Sequence, residues 1–375
     1  MKKVYLDNAS TTAIRHEVIE EMANVMASVY GNPSSTHSFG RAAKVLLETS
    51  RKKIAALINA EPREIIFTSG GTEADNWIIK SAVKDLKVKR IITAKTEHHA
   101  VLNTVETVSK EFNTKVDFVN LNTNGSVDID HLKVLLSEDI STLVSLMHIN
   151  NETGVVFNIS EIGNICKDHK AWFHSDTVQS IGKTKLDLQN IPVDFVVASA
   201  HKFHGPKGVG FAFIRKNTLL QPMIVGGEQE KGLRAGTESI HQVAGMAKAL
   251  EVAYENLNEE RIYINKLKNY LLEQLRNNFP EMKINGDGTE LSYNIVNVLL
   301  PLSEEKTSMI LFNLDMKGIA VSRGSACQSG SIKPSHVLVE MLNEYDIKKP
   351  SLRISLSHYN TAEDIDLLIE ALNSI

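Results

Sequence analysis

Ser199-Ala200-His201-Lys202-Phe203-His204-Gly205-Pro206-Lys207-Gly208 ends the apolar run Val193 to Ala198 with a lysine and a glycine-rich turn. A strand that carries one lysine to its carboxyl end, beside Ser and His, suits covalent capture of a carbonyl compound by the ε-amine. The plainer alternative is a solvated lysine at a strand end. Outward from this stretch, short apolar runs alternate with helical patterns. Ile65-Ile66-Phe67, Arg90 to Thr93, Lys115 to Val119, Thr142 to Met147, Ala171 to His174 and Gly208 to Arg215 read as further strands. Thr72 to Lys84, His98 to Phe112 and Ser160 to His169 read as helices between them, the last with Ser160 as N-cap. Strands alternating with helices imply βαβ units and an α/β fold with a mainly parallel sheet.

The pattern changes after Gly236. A long helical stretch, with room for brief breaks, reaches Phe279. Asn294 to Leu300, a helix near Thr307 to Asp315, Ile319 to Ser322, Leu352 to Ser355 and a final helix after Thr361 follow. The expected division is a large domain over residues 15–255. A small α+β domain would be made of residues 1–14 and 256–375, with the N-terminal strand folded back onto it.

The chain has 375 residues, of which 42% are hydrophobic and 23% charged, enough for a sizeable core. A net charge of -4 and the lack of a long basic run exclude a nucleic-acid or anionic-membrane binder of the electrostatic kind. Two cysteines, Cys166 and Cys327, cannot build a disulfide framework and fit a reducing compartment. With no apolar signal core and no window apolar enough to span a bilayer, the expectation is a cytoplasmic protein.

In open α/β sheets ligands lie beyond the carboxyl ends of the strands. Thr68-Ser69-Gly70-Gly71-Thr72 there presents backbone N–H groups and hydroxyls to an anion such as phosphate; a simple N-cap by Ser69 or Thr72 is the alternative. Asp176 suits a protonated pyridine nitrogen, and Gln179 a ring hydroxyl, although Asp176 could also be an N-cap and Gln179 a surface residue. His98 could stack on a flat ring or cap a helix. With Lys202, these are the functions that pyridoxal phosphate needs. Arg353 on an apolar strand suits a carboxylate, or an internal Asp or Glu. Cys327 lies in Ser322 to Ser331, where seven of ten residues are Gly, Ser or Ala, and reads as exposed and reactive with Arg323 nearby. Cys166 is in register with Ile159, Ile162 and Ile165 and reads as core. No His pair has a recognised metal spacing. Gly205-x-x-Gly208-x-Gly210 opens a strand and is no dinucleotide fingerprint.

Together these residues resemble the pyridoxal-phosphate-dependent cysteine desulfurases of the nitrogen-fixation and iron–sulfur-cluster type. The similarity runs in order through Tyr5 to Thr12, Gly31 to Ser35, Thr68 to Glu73, Thr96-Glu97-His98, Asn150 to Gly154, Asp176 to Ser180, Ser199 to Lys202, Arg234 to Thr237, Gly324 to Cys327 and Arg353. It implies fold type I of the pyridoxal enzymes, with a seven-stranded sheet, and a homodimer with sites at the subunit interface. Lys202 would bind the cofactor covalently, Asp176 and Gln179 would hold its ring, and His98 would stack on it and move protons. Gly71, Thr72, Ser199 and His201 would hold the phosphate, with Thr237 reaching in from the partner subunit. Asn151 and Arg353 would hold the carboxylate of L-cysteine. Cys327 would take the sulfur as a persulfide, leaving alanine, and pass it to an acceptor protein serving cluster assembly or tRNA or DNA thiolation. A chain ending at Ile375, just after the last helix, departs from members whose longer tail docks a cluster scaffold. The rivals are another fold type I reaction, such as selenocysteine lysis or transamination, and a non-catalytic partner protein that keeps the fold.

Overall fold

Val, Ile and Phe dominate the runs around Lys202, and their strands are buried on both faces, as parallel strands under two helical layers must be. The computed structural model describes residues 2–324 and 334–375. The strands in chain order are β1 (Val4–Tyr5), β2 (Ile65–Thr68), β3 (Arg90–Thr93), β4 (Lys115–Phe118), β5 (Thr142–Ser145) and β6 (Trp172–Asp176). They continue with β7 (Phe195–Ser199), β8 (Gly210–Ile214), β9 (Lys283–Ile284), β10 (Ile295–Leu299), β11 (Ile319–Ala320) and β12 (Ser351–Ser355). The helices are α1 (His16–Ser28), α2 (Ser38–Leu57), α3 (Gly71–Lys84), α4 (His99–Phe112), α5 (Ile129–Leu136) and α6 (Ile159–Asp168). Then come α7 (Ile240–Glu255), α8 (Leu257–Asn278), α9 (Ile310–Met316), α10 (His336–Val339) and α11 (Ala362–Asn373).

Seven strands form one sheet in the order β2-β8-β7-β6-β5-β3-β4. The pairs among β3, β4, β5, β6 and β7 are parallel, whereas β8 runs antiparallel to both β2 and β7. The fold is therefore the mainly parallel α/β sheet expected, with one reversed strand. The reversal follows from the short turn after Lys202, which is too brief for a right-handed crossover helix.

Two large buried clusters back the two faces of this sheet. A further cluster joins Val4 and Leu6 to α8, β10, β12 and α11. In α8, Ile264, Leu267, Leu271 and Leu275 are buried at helical spacing and form its core-facing stripe. β1 pairs in parallel with β11, which brings the segment after Tyr5 to the sheet's carboxyl edge.

Three local expectations change. Asn158, not Ser160, caps α6, because its side chain accepts from Glu161 N at 3.2 Å and the helix already starts at Ile159. β6 extends to Asp176, since Ser175 and Asp176 still pair with Val196 and Val197. Gly70 occupies the N-cap of α3 with no side-chain cap, so neither Ser69 nor Thr72 fills that role.

Candidate active site

The carboxyl ends of β2, β5, β6 and β7 and the start of α4 converge on a cavity of about 250 Å³. It is lined by Gly71, Thr72, His98, Asn151, Asp176, Gln179, Ser199, His201, Lys202 and Arg353, along with Ala9, Ser10 and Asp75. Residues up to 344 positions apart, Ala9 and Arg353, thus share one wall system, because separate strands bring them to the same edge.

Lys202 lies in a single turn of 3-10 helix after β7, and its Nζ donates to the carbonyls of Ala9 and Ser10, both at 2.7 Å. The amine is held at the cavity by backbone oxygens of the N-terminal segment that β1 delivers. His201 Nδ1 meets Thr11 Oγ1 at 3.1 Å, and its pKa falls to about 4 through burial and the cations Lys202, Lys207 and Lys183. Its imidazole is therefore neutral near pH 7. Gly70 has φ +152°, a conformation that L side chains rarely adopt, and a Cβ there would sit 3.3 Å from Ser199 Oγ. A Cβ on Gly71 would come within 2.7 Å of Val178 Cγ2. These two positions keep the start of α3 open for an anion beside Thr72 and Ser199.

Asp176 accepts from Val178 N at 2.9 Å, so it is both a local cap and a wall of the cavity. Burial raises its pKa, against which His98, the Val178 N–H and Lys202 favour the carboxylate. Asp75 and Glu97 are fully buried and pushed well up, by burial first and then by the charge of Asp176. Of the three carboxyls, Asp176 has the nearby cations, so it is the one best placed to stay ionised and face a protonated ring nitrogen. His98 caps α4, its Nδ1 accepting from Ala100 N at 3.1 Å. Burial lowers its pKa, despite Asp176, leaving a neutral ring. Both plainer alternatives, a capping His98 and a capping Asp176, are therefore met together with a place at the cavity.

Arg353 is buried on β12. Its Nη2 donates to Asp7 Oδ1 at 2.8 Å and Ser10 Oγ at 2.5 Å, and its Nη1 to the carbonyl of Asn151 at 2.8 Å. An internal ion pair and a cavity-facing cation are one and the same residue here. Nε lacks a hydrogen-bond partner among the described residues. Arg353→Lys keeps the charge but loses the planar fork, so KM for an amino-acid substrate is expected to rise about tenfold with a smaller change in kcat. Steady-state kinetics checks this, and an unchanged KM would confine Arg353 to the Asp7 pair.

Thr237 is exposed and does not line its own chain's cavity. Arg234, three residues earlier, pairs with Glu73 of α3 at 2.9 and 3.2 Å and fixes this segment against the phosphate end. Cys327 lies outside the described residues. Cys166 is buried, and burial pushes its thiol far up, consistent with a packing role. No group of three metal-ligating side chains occurs among the described residues. The cavity also contains residues not singled out from sequence: Ala9 and Ser10 as amine acceptors, and Asp75 as a buried acid. Glu97, Asp7 and Lys183 support the wall from behind. Two had a visible signal, since Glu97 precedes His98 and Lys183 stands four residues after Gln179.

A lysine amine, a glycine-opened helix start, a buried carboxylate and a buried arginine around one cavity on a mainly parallel sheet fit a pyridoxal-phosphate enzyme of fold type I. The model of the family "Aminotransferase class-V" matches residues 4–368, and the chain belongs to that family. It is 41% identical over its whole length to Cysteine desulfurase IscS of Clostridium botulinum, covering 94% of that protein. Among solved structures it superposes on the NifS-like protein of Rickettsia africae with a TM-score of 0.88 and 35% identity, covering 100% and 99% of the two chains. SspA in complex with cysteine is similar over 96% of this chain and 100% of its own, at 29% identity and a TM-score of 0.81. Family members depend on pyridoxal phosphate. The residues present fit that group: Gly71, Thr72, Ser199 and His201 would hold its phosphate, Asp176 and Gln179 its ring, and Lys202 its carbonyl carbon. No helix among the described residues is long and apolar enough to cross a membrane.

Proposed function

We propose that this chain is a cysteine desulfurase that takes sulfur from L-cysteine, leaves L-alanine and carries the sulfur as a persulfide on Cys327. The observation that carries this reading is the joint placement of Lys202, Asp176, His98 and Arg353 around one cavity. Bound pyridoxal phosphate supplies an electron sink for the pair left when the substrate loses its α-proton. Arg353 and Asn151 orient the substrate carboxylate. The neutral imidazole of His98 and the amine of Lys202 accept and return protons at the cavity. Cys327 Sγ, as thiolate, attacks the substrate sulfur: an S–S bond forms, the substrate C–S bond breaks, and the Cβ is protonated to the methyl of alanine. No external oxidant is consumed.

The active form is a cytoplasmic homodimer. Exposed Met223, Ile224 and Val225 support a partner surface beside Thr237, since Ala235 N donates to the carbonyl of Ile224 and holds the two segments together. Residues 15–255 form the large domain, with 1–14 and 256–375 the small one. The persulfide passes to an acceptor protein of cluster assembly or of tRNA or DNA thiolation. Incubating the holoenzyme with L-cysteine and a thiol reductant is expected to release alanine and sulfide in equal amounts. Pyruvate in place of alanine, or no sulfide, would overturn the reading.

A further inference from the structure

Gln179 is tied at both ends of its amide. Nε2 donates to the carbonyl of Ala9 at 2.8 Å, and Oε1 accepts from Lys183 Nζ at 2.9 Å. A lysine ammonium only donates and a carbonyl only accepts, so this pair of partners leaves one orientation for the amide. Ala9 and Gln179 line the large cavity, whereas Lys183 lies behind it and lines a smaller one that shares Lys202. Gln179 lines the cavity, so its oriented amide stands at the wall where the cofactor ring would be held.

Lys183 is buried, and among the described residues no carboxylate pairs with it. Lys202 and Arg353 act on it as like charges, and it depresses the pKa of His201 and His204 in turn. Arg15, Glu260, Tyr293 and His358 also line the smaller cavity. Glu260 is occupied there by Arg15 Nη2 at 2.7 and 2.8 Å. Burial and the two neighbouring cations bring the pKa of Lys183 down to about 7. Near pH 7 this amine is therefore shared between its ammonium and neutral forms, and below that pH it is a buried cation with no carboxylate on it among the described residues.

We propose that Lys183 is a positioning residue for pyridoxal phosphate: it locks the Gln179 amide with its N–H side towards the cofactor, and in its protonated form its charge adds to the field at Lys202. This goes beyond the desulfurase reading and rests on the cofactor part of it.

The test is equilibrium binding of pyridoxal phosphate to the apoenzyme of wild type, Lys183→Met, Gln179→Ala, the double variant and Gln179→Glu. The pH midpoint of the bound cofactor's visible absorption is read alongside. Lys183→Met is expected to weaken binding about tenfold, the worth of one oriented hydrogen bond. The double variant should lose clearly less than the product of the two single losses. Loss of a cation beside Lys202 should raise the absorption midpoint by about one pH unit, a change that a purely structural role would not produce. Gln179→Glu gives Lys183 a carboxylate partner but removes the donor to Ala9 and to the cofactor; with its fold checked by circular dichroism, it should bind at least tenfold more weakly. It carries the test if Lys183→Met does not fold. Losses that simply multiply, an unmoved midpoint, or wild-type binding by Gln179→Glu would each overturn the proposal. A wild type that binds no pyridoxal phosphate would overturn the cofactor reading with it.

Discussion

Lys202→Ala is expected to lower turnover of L-cysteine by about 10³-fold or more and to leave pyridoxal phosphate removable by dialysis. Two consequences follow from one amine. Its position at the carboxyl end of β7 makes it the amine proposed as the nucleophile of the cavity, and the carbonyls of Ala9 and Ser10 hold it there at 2.7 Å. Without it, the proposed phosphate cradle, Asp176 and Gln179 should still bind the cofactor, but only non-covalently. Borohydride reduction followed by mass measurement is a direct reading: wild type should gain one cofactor mass irreversibly, and Lys202→Ala should not. Full activity in the variant, or a retained covalent adduct, would move the anchoring role to another lysine, of which Lys183 is the nearest candidate.

The second large effect is on Cys327. Cys327→Ala is expected to reduce sulfide release by about 10³-fold while cofactor binding and its absorption stay unchanged. The remaining cysteine cannot substitute. Cys166 is buried on α6, and burial holds its thiol protonated. Brief treatment of the wild type with L-cysteine should leave one additional sulfur on the peptide that contains Cys327, removable by reductant. A variant that still forms alanine and sulfide at the wild-type rate would separate the reaction from a protein persulfide. The two variants should also separate the stages: Lys202→Ala is expected to fail before sulfur leaves the substrate, Cys327→Ala at its capture.

How much of this was legible in the chain depends on whether the signal was local. The alternation of apolar runs and helical patterns gave the α/β class, and strand-end residues gave the cavity, because a strand's last residues point to the same edge whatever lies between them. Lys202, Asp176 and Ser199 were readable for that reason. The cap of α6 was misplaced by two residues, since Asn158 and Ser160 both carry a capping oxygen and only the helix start chooses between them. The reversed strand β8 reads Gly-Phe-Ala-Phe-Ile, as apolar as a buried parallel strand would be.

Composition, periodicity and the residues at the strand ends by themselves determined the class of fold and singled out the strand-end Lys202, Asp176 and the Gly70-Gly71-Thr72 helix start. These are properties of short segments, and short-range sterics and hydrogen bonding govern them. The tertiary structure alone decided the partners. It joined Arg353 to Asp7 across 346 positions, brought the carbonyls of Ala9 and Ser10 to Lys202, and set Lys183 behind Gln179 with no carboxylate on it among the described residues. It also buried Asp75 and Glu97 next to Asp176, so that the nearby Lys202 and His98, not residue type, decide which of three buried carboxyls is best placed to keep its charge. Charge and proton affinity depend on distance and desolvation, and neither exists until distant segments pack together.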